Sequence, residues 1–224
     1  MPCQLVKKIM VLIFSSVIVM NGYSAFADSA IQCHCFQERE FSSDHPQAFD
    51  PYLLATIQNR FMASYFGVSR KQIVKLKMTG VDNDKLWIAY ELSQKSLQPV
   101  VETLAVIQKL QSWQSVLHEL SLDPETLNAQ LLTAMLGEGT DRSVAWFVVR
   151  KALLDKLAVD SELIGWLYER NATFQEIVLT AVLSSSSHMS IPEIVDRQEK
   201  LASWGRLLAD QKLTLLQLEQ SFAN

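Results

Sequence analysis

The residues best suited to chemistry stand close together near the beginning of the chain, in QCHCFQEREF, residues 32–41. Cys33 and Cys35 flank His34, and His45 follows eleven residues after His34. Two thiols at this spacing have three fates in an oxidising compartment. A Cys-x-Cys disulfide closes a small strained ring, and strain makes such a bond easy to reduce. Two thiolates together with His34 and His45 form a donor set for a soft metal, Cu(I) or Zn²⁺. The thiols can also cross-link to another chain. A disulfide between Cys33 and Cys35 heads these readings, a metal site at Cys33, His34, Cys35 and His45 follows, and catalytic thiol exchange comes last. The order reflects the four spaced ligands that complete zinc sites carry.

Elsewhere the sequence offers little chemistry. His118 and His188 have no companion at nucleophile or ligand spacing. The pairs Glu38/Glu40 and Asp82/Asp84 read as solvated carboxylates rather than acid/base groups, with nothing nearby to raise a carboxyl pKa. The sequence contains no Gly-rich phosphate loop and no HExxH, GxSxG or CxxCH signature. No cofactor beyond the Cu or Zn reading is implied, and the balance favours a protein without catalytic activity.

The first residues carry an address. Lys7 and Lys8 precede an apolar run from Ile9 to Met20 that is interrupted only by Ser15 and Ser16, and Ala25 and Ala27 supply small residues before Asp28. This is the pattern of a secretory signal peptide over residues 1–27, with a mature chain that starts at Asp28 and ends up periplasmic or secreted. Without residues 1–27 the chain holds 18 basic and 24 acidic residues, a formal net charge of −6. That balance speaks against a nucleic-acid partner, because phosphate backbones select clustered Lys and Arg. No later apolar run approaches the ~20 residues a membrane-spanning helix needs, so no stable membrane insertion is expected after signal cleavage.

The elements that must hold these residues are built on a repeat. LQSWQSVLHELSL begins at Leu110 and LASWGRLLADQKL at Leu201, an offset of 91. Aligned at that offset without gaps, residues 50–133 and 141–224 share 15 identities in 84 positions. Eleven fall between Leu92 and Leu127, among them Trp113 with Trp204 and Ser112 with Ser203. The sequence therefore divides into the signal peptide 1–27, a Cys-containing segment 28–49, a first helical repeat 50–140 and a second 141–224.

Each repeat reads as helical, giving an all-α fold built as a multi-helix array. Leu110, Trp113, Leu117 and Leu120 follow helical steps, as do Leu201, Trp204 and Leu208. Asp50-Pro51 and Asp123-Pro124 resemble an N-cap followed by Pro, and Ser69/Gln72, Thr173/Glu176 and Ser190/Glu193 fit capping boxes. The expected helices span about 50–66, 69–79, 83–96, 99–120 and 124–136, then 141–157, 160–170, 174–187, 191–211 and 214–222. Trp113 and Trp204 read as structural core, since an aromatic at helical spacing among leucines buries a large apolar area. Ser112 and Ser203 are candidate caps at a break before each Trp.

The runs VSRKQIVKLKMTG, LWIAYELSQKS and VVETLAVIQKLQSWQSVLHELSL resemble an uncharacterised group of exported bacterial all-helical proteins with Trp-containing helical-pair repeats. The resemblance covers about residues 66–127 and 157–218. It implies helical pairs and no activity. Gln111 and Ala202 stand where the group carries a turn glycine, and only Gly205 follows a Trp, so a kinked continuous helix replaces the sharp turn in this expectation. Taken together, the sequence describes an exported, soluble, non-catalytic helical module that binds an unknown protein or small ligand between its two repeats. The alternative is a thiol-redox or soft-metal protein acting through Cys33-His34-Cys35.

Overall fold

Side-chain oxygens decide where most of the helices begin. The computed structural model describes Phe36 and residues 38–137, 139–157 and 159–222. Helix α1 (Asp50–Phe66) follows a short 3-10 turn, Pro46–Phe49. Ser69 accepts the Gln72 amide ahead of α2 (Arg70–Met78), and Asp82 accepts the Asp84 and Lys85 amides ahead of α3 (Asn83–Ser96). Pro99 precedes α4 (Val100–Lys109), and Ser112 accepts the Ser115 amide ahead of α5 (Trp113–Glu119). A 3-10 turn (Pro124–Thr126) capped by Asp123 leads to α6 (Ala129–Leu136), capped by Asn128. The chain then runs through α7 (Asp141–Leu157) and α8 (Ser161–Glu169), the latter capped by Asp160. A full Thr173/Glu176 capping box starts α9 (Phe174–Ser186), and Ser190 and Ser203 cap α10 (Ile191–Leu201) and α11 (Trp204–Asp210). A second box, Thr214/Gln217, starts α12 (Leu215–Gln220). Each such cap satisfies amides that the first helical turn leaves unpaired. The fold is all-α, with no strand among the described residues, and no helix in them is long and apolar enough to cross a membrane.

The element boundaries recur at the offset of the sequence repeat. Adding 91 to the bounds of α1, α2 and α5 gives those of α7, α8 and α11. The start positions Ser69/Asp160, Asp82/Thr173, Pro99/Ser190, Ser112/Ser203 and Asp123/Thr214 are all 91 apart. So are the left-handed residues Gly80 and Asn171, and Ser121 and Lys212.

Three details differ from the sequence expectation. The helix expected over 99–120 is two helices broken at Leu110–Ser112, and that over 191–211 is broken at Ala202–Ser203. Leu110 and Ser112 are extended, whereas Ala202 takes the left-handed φ of 51° that closes α10. Serine caps thus produce a sharp turn before each Trp without the glycine. The segment 124–136 divides in the same way, because Asn128 restarts the helix. Asp50 is no cap of its own helix. Its carboxylate accepts from the Ser203 hydroxyl (3.0 Å) and from the Trp204 (3.0 Å) and Gly205 (2.8 Å) amides, and so caps α11 instead.

Packing is crossed. Helix α1 lies chiefly against α9, and α3 against α7, while α6 covers α7 and α12 covers α1. Leu86 to Leu92 of α3 and Ile177 to Leu183 of α9 are buried without interruption, nearly two helical turns each, as befits helices covered on all sides. Phe61 and Phe66 of α1 pack on Trp87 of α3, and Phe66 stacks on Tyr90 at 5.2 Å. Trp113 and Trp204, the first residues of α5 and α11, are both buried.

Candidate functional site

Two turns at equivalent places in the 91-residue register face each other across a cavity of about 330 Å³. One joins α2 to α3 and contributes Lys77, Val81, Asn83 and Asp84; the other joins α8 to α9 and contributes Thr173, Phe174 and Gln175. Arg142, at the start of α7, completes the wall. Asn83 and Phe174, and Asp84 and Gln175, are equivalent pairs at the offset of 91, yet each pair is chemically unlike. The cavity thus carries charged groups on one side and, on the other, the Phe174 ring between Thr173 and Gln175.

The polar side is electrostatically perturbed. The Lys77 ammonium donates to the buried Gln58 side chain at 3.0 Å, and burial pushes its pKa down to about 8, partly opposed by Asp82. Burial and the neighbouring Asp82 carboxylate raise the Asp84 pKa to about 6, against the pull of Arg142. The Asp84 carboxylate makes no hydrogen bond or ion pair among the described residues, and the buried Asn83 Oδ1 and Gln58 Nε2 have no partner. Gln58 stands behind the cavity wall and neither orphaned atom is open to the cavity, so the polar group left for a bound molecule to complete is the Asp84 carboxylate.

The aromatic side holds Arg142 in place. Trp146 stacks on Tyr168 at 4.4 Å, and Tyr168 on Phe174 at 6.3 Å. The Arg142 guanidinium lies 4.9 Å from the Phe174 ring centre and 5.3 Å from that of Tyr168, and it donates to the Ala172 carbonyl at 2.8 Å. Ring faces and one carbonyl fix the plane of the group while leaving it further N–H donors.

Other cavities are less suited to a ligand. An open groove of about 670 Å³ is bounded by Arg60, Ser64, Arg70, Lys156, Glu219 and Phe222, but Arg60 is ion-paired with Glu219, and Ser64 donates to the Phe222 carbonyl. A cavity of about 400 Å³ beside Trp113 and Asp141 is bounded by Gln114 and Leu136, which are already tied to each other by the Gln114 amide donating to the Leu136 carbonyl.

Cys33, His34 and Cys35 lie outside the described residues. His45 is described, and it sits exposed at the amino end of the Pro46–Phe49 turn. Among the described residues no three His, Cys, Asp or Glu side chains gather in a way that could hold a metal ion. Trp113 and Trp204 do not approach the cavity of Lys77 and Arg142, which neither of them lines. One expectation is corrected: Asp84 does have neighbours that raise its pKa, namely Asp82 and the packing that buries it. Sequence reading missed Lys77, Asn83 and Arg142 altogether. The one available signal was the pairing of polar with aromatic residues at equivalent positions. In comparisons with protein-family models, curated proteins and solved structures, the chain matches none.

Proposed function

We propose that this chain is a non-catalytic helical module, exported under the leader of residues 1–27, in which 50–140 and 141–224 are two copies of one unit that bind a small molecule between them. The observation that carries the reading is the cavity at the facing α2–α3 and α8–α9 turns, lined by Lys77, Arg142 and an Asp84 carboxylate that has no hydrogen bond or ion pair among the described residues. Its walls come from both halves, and the charged groups belong to α2, α3 and α7. The test is a thermal-shift screen of a small-molecule library on the purified protein and on Gln175→Trp, which places a large side chain at a partly exposed position in the cavity wall. Compounds that raise the melting temperature of the parent but not of the variant are expected. A library without a single compound that depends on the cavity would overturn the reading.

A further inference from the structure

The groups around the cavity differ in sign and in the direction of hydrogen bonding. Lys77 and Arg142 are cationic donors. Asp84 is an anionic acceptor with no hydrogen bond or ion pair among the described residues, and only the field of Arg142 offsets its burial. A simple anion would satisfy the two cations and be set against Asp84, and a simple cation would do the reverse. A neutral molecule would leave the Asp84 carboxylate without a charged partner in contact, which low-dielectric surroundings penalise. A molecule that carries both charges a few bonds apart answers all three groups.

Building on the small-ligand reading above, we infer that the ligand is a small zwitterion, a free α-amino acid, with its ammonium on Asp84 and its carboxylate on Lys77 and Arg142. Val81 and the Phe174 ring give the remaining wall an apolar character suited to an amino-acid side chain. Gln175, at the amino end of α9, adds an amide within the same wall.

The arrangement also predicts a pH window. Asp84 is faced by Asp82 on its own element and by Arg142 and Asp141 from α7; Lys77 is faced by Gln58 from α1 and Asp82 from the next turn. Below about pH 6 Asp84 takes up a proton and the ammonium loses its counter-charge. Above about pH 8 Lys77 releases one, and the carboxylate loses one of its two cations. Affinity therefore peaks between these limits.

The experiment is calorimetric titration of the purified protein with each of the common free L-amino acids, then of the tightest binder against its N-acetyl and C-amide derivatives. Each blocked form is expected to bind at least about tenfold more weakly, the effect of losing one charge-assisted hydrogen-bonding partner. Asp84→Asn is expected to abolish the discrimination against the N-acetyl form, and Lys77→Met to reduce that against the amide, with helical circular dichroism unchanged in both. A blocked form that binds as tightly as the parent amino acid would overturn the inference. If no free amino acid binds while library compounds still depend on the cavity, this inference falls and the small-ligand reading stands. If neither binds, both fall.

Discussion

Lys77 carries a positive charge into a place that favours the neutral amine, and the consequence for stability has a definite sign. Its folded pKa, about 8, lies below the ordinary 10.5, so its stabilising contribution is complete only above pH 10.5 and is lost as the pH falls through 8. At pH 7 the buried ammonium is therefore a liability that one hydrogen bond to Gln58 only partly offsets. Replacing it by methionine, of similar length and without charge, is expected to raise stability at pH 7 by roughly 1–3 kcal/mol. Denaturant unfolding at pH 7 and 10.5 checks this, since the gain should shrink at the higher pH. Asp84 runs in the opposite direction. Its pKa is raised to about 6, so its contribution is complete below the ordinary 3.8 and is lost as the pH rises through 6. Asp84→Asn should flatten that part of the pH–stability profile. A residue whose ionisation is held away from its ordinary value in a cavity wall costs stability at neutral pH, which is common at functional positions.

At the scale of the element, Asp50 and Asp141 occupy equivalent places and do different work. Asp50 accepts three hydrogen bonds at the amino end of α11, whereas among the described residues Asp141 has a single, partly exposed ion pair, with Lys85 at 3.5 Å. Asp50→Ala is expected to cost about 2–3 kcal/mol, in line with hydrogen bonds to a charged group. Asp141→Ala should cost under about 1 kcal/mol, as exposed ion pairs do. Chemical denaturation of both variants decides the contrast, and equal losses would show that the cap does not matter. Gly205 belongs to the same joint. A Cβ there would stand 2.8 Å from the Phe41 ring and 3.0 Å from that of Phe49, so Gly205→Ala should destabilise by about 1–3 kcal/mol through overpacking, read as a lower unfolding midpoint. The equivalent position in the first half is Gln114, where the approach is made by the Leu136 carbonyl instead of by rings. Much of this was legible in sequence. Ser69, Thr173 and Ser190 announced their helices because capping is local, a matter of one side chain and an amide three residues on. The breaks before Trp113 and Trp204 were harder to read, since the leucine spacing continues in helical steps across them. The cavity was not legible, because Lys77 and Arg142, 65 residues apart in sequence, meet only through the packing of α3 on α7.

For the whole molecule, crossed packing means that neither half is complete. Helix α1 covers α9 and α7 covers α3, so a chain cut within residues 137–140 would leave both fragments with large apolar faces open to water. Each fragment alone is expected to lack a cooperative thermal transition by circular dichroism. An equimolar mixture should recover one, because the same surfaces can meet between chains. A first half that melted cooperatively by itself would contradict this account. The crossing also bears on time. Phe61 must await the turn after α12 to meet Phe222 at 5.5 Å, and Ser203 closes on Asp50 across 153 residues of chain. Contacts so distant along the chain slow the search for the native state, because a long loop must close before any contact rewards it. While the chain is being synthesised, its amino-terminal half has no partner to settle against until the second half has emerged. A polypeptide with that delay stays threadable for longer, and an export channel that admits only unfolded chains could receive it before it locks.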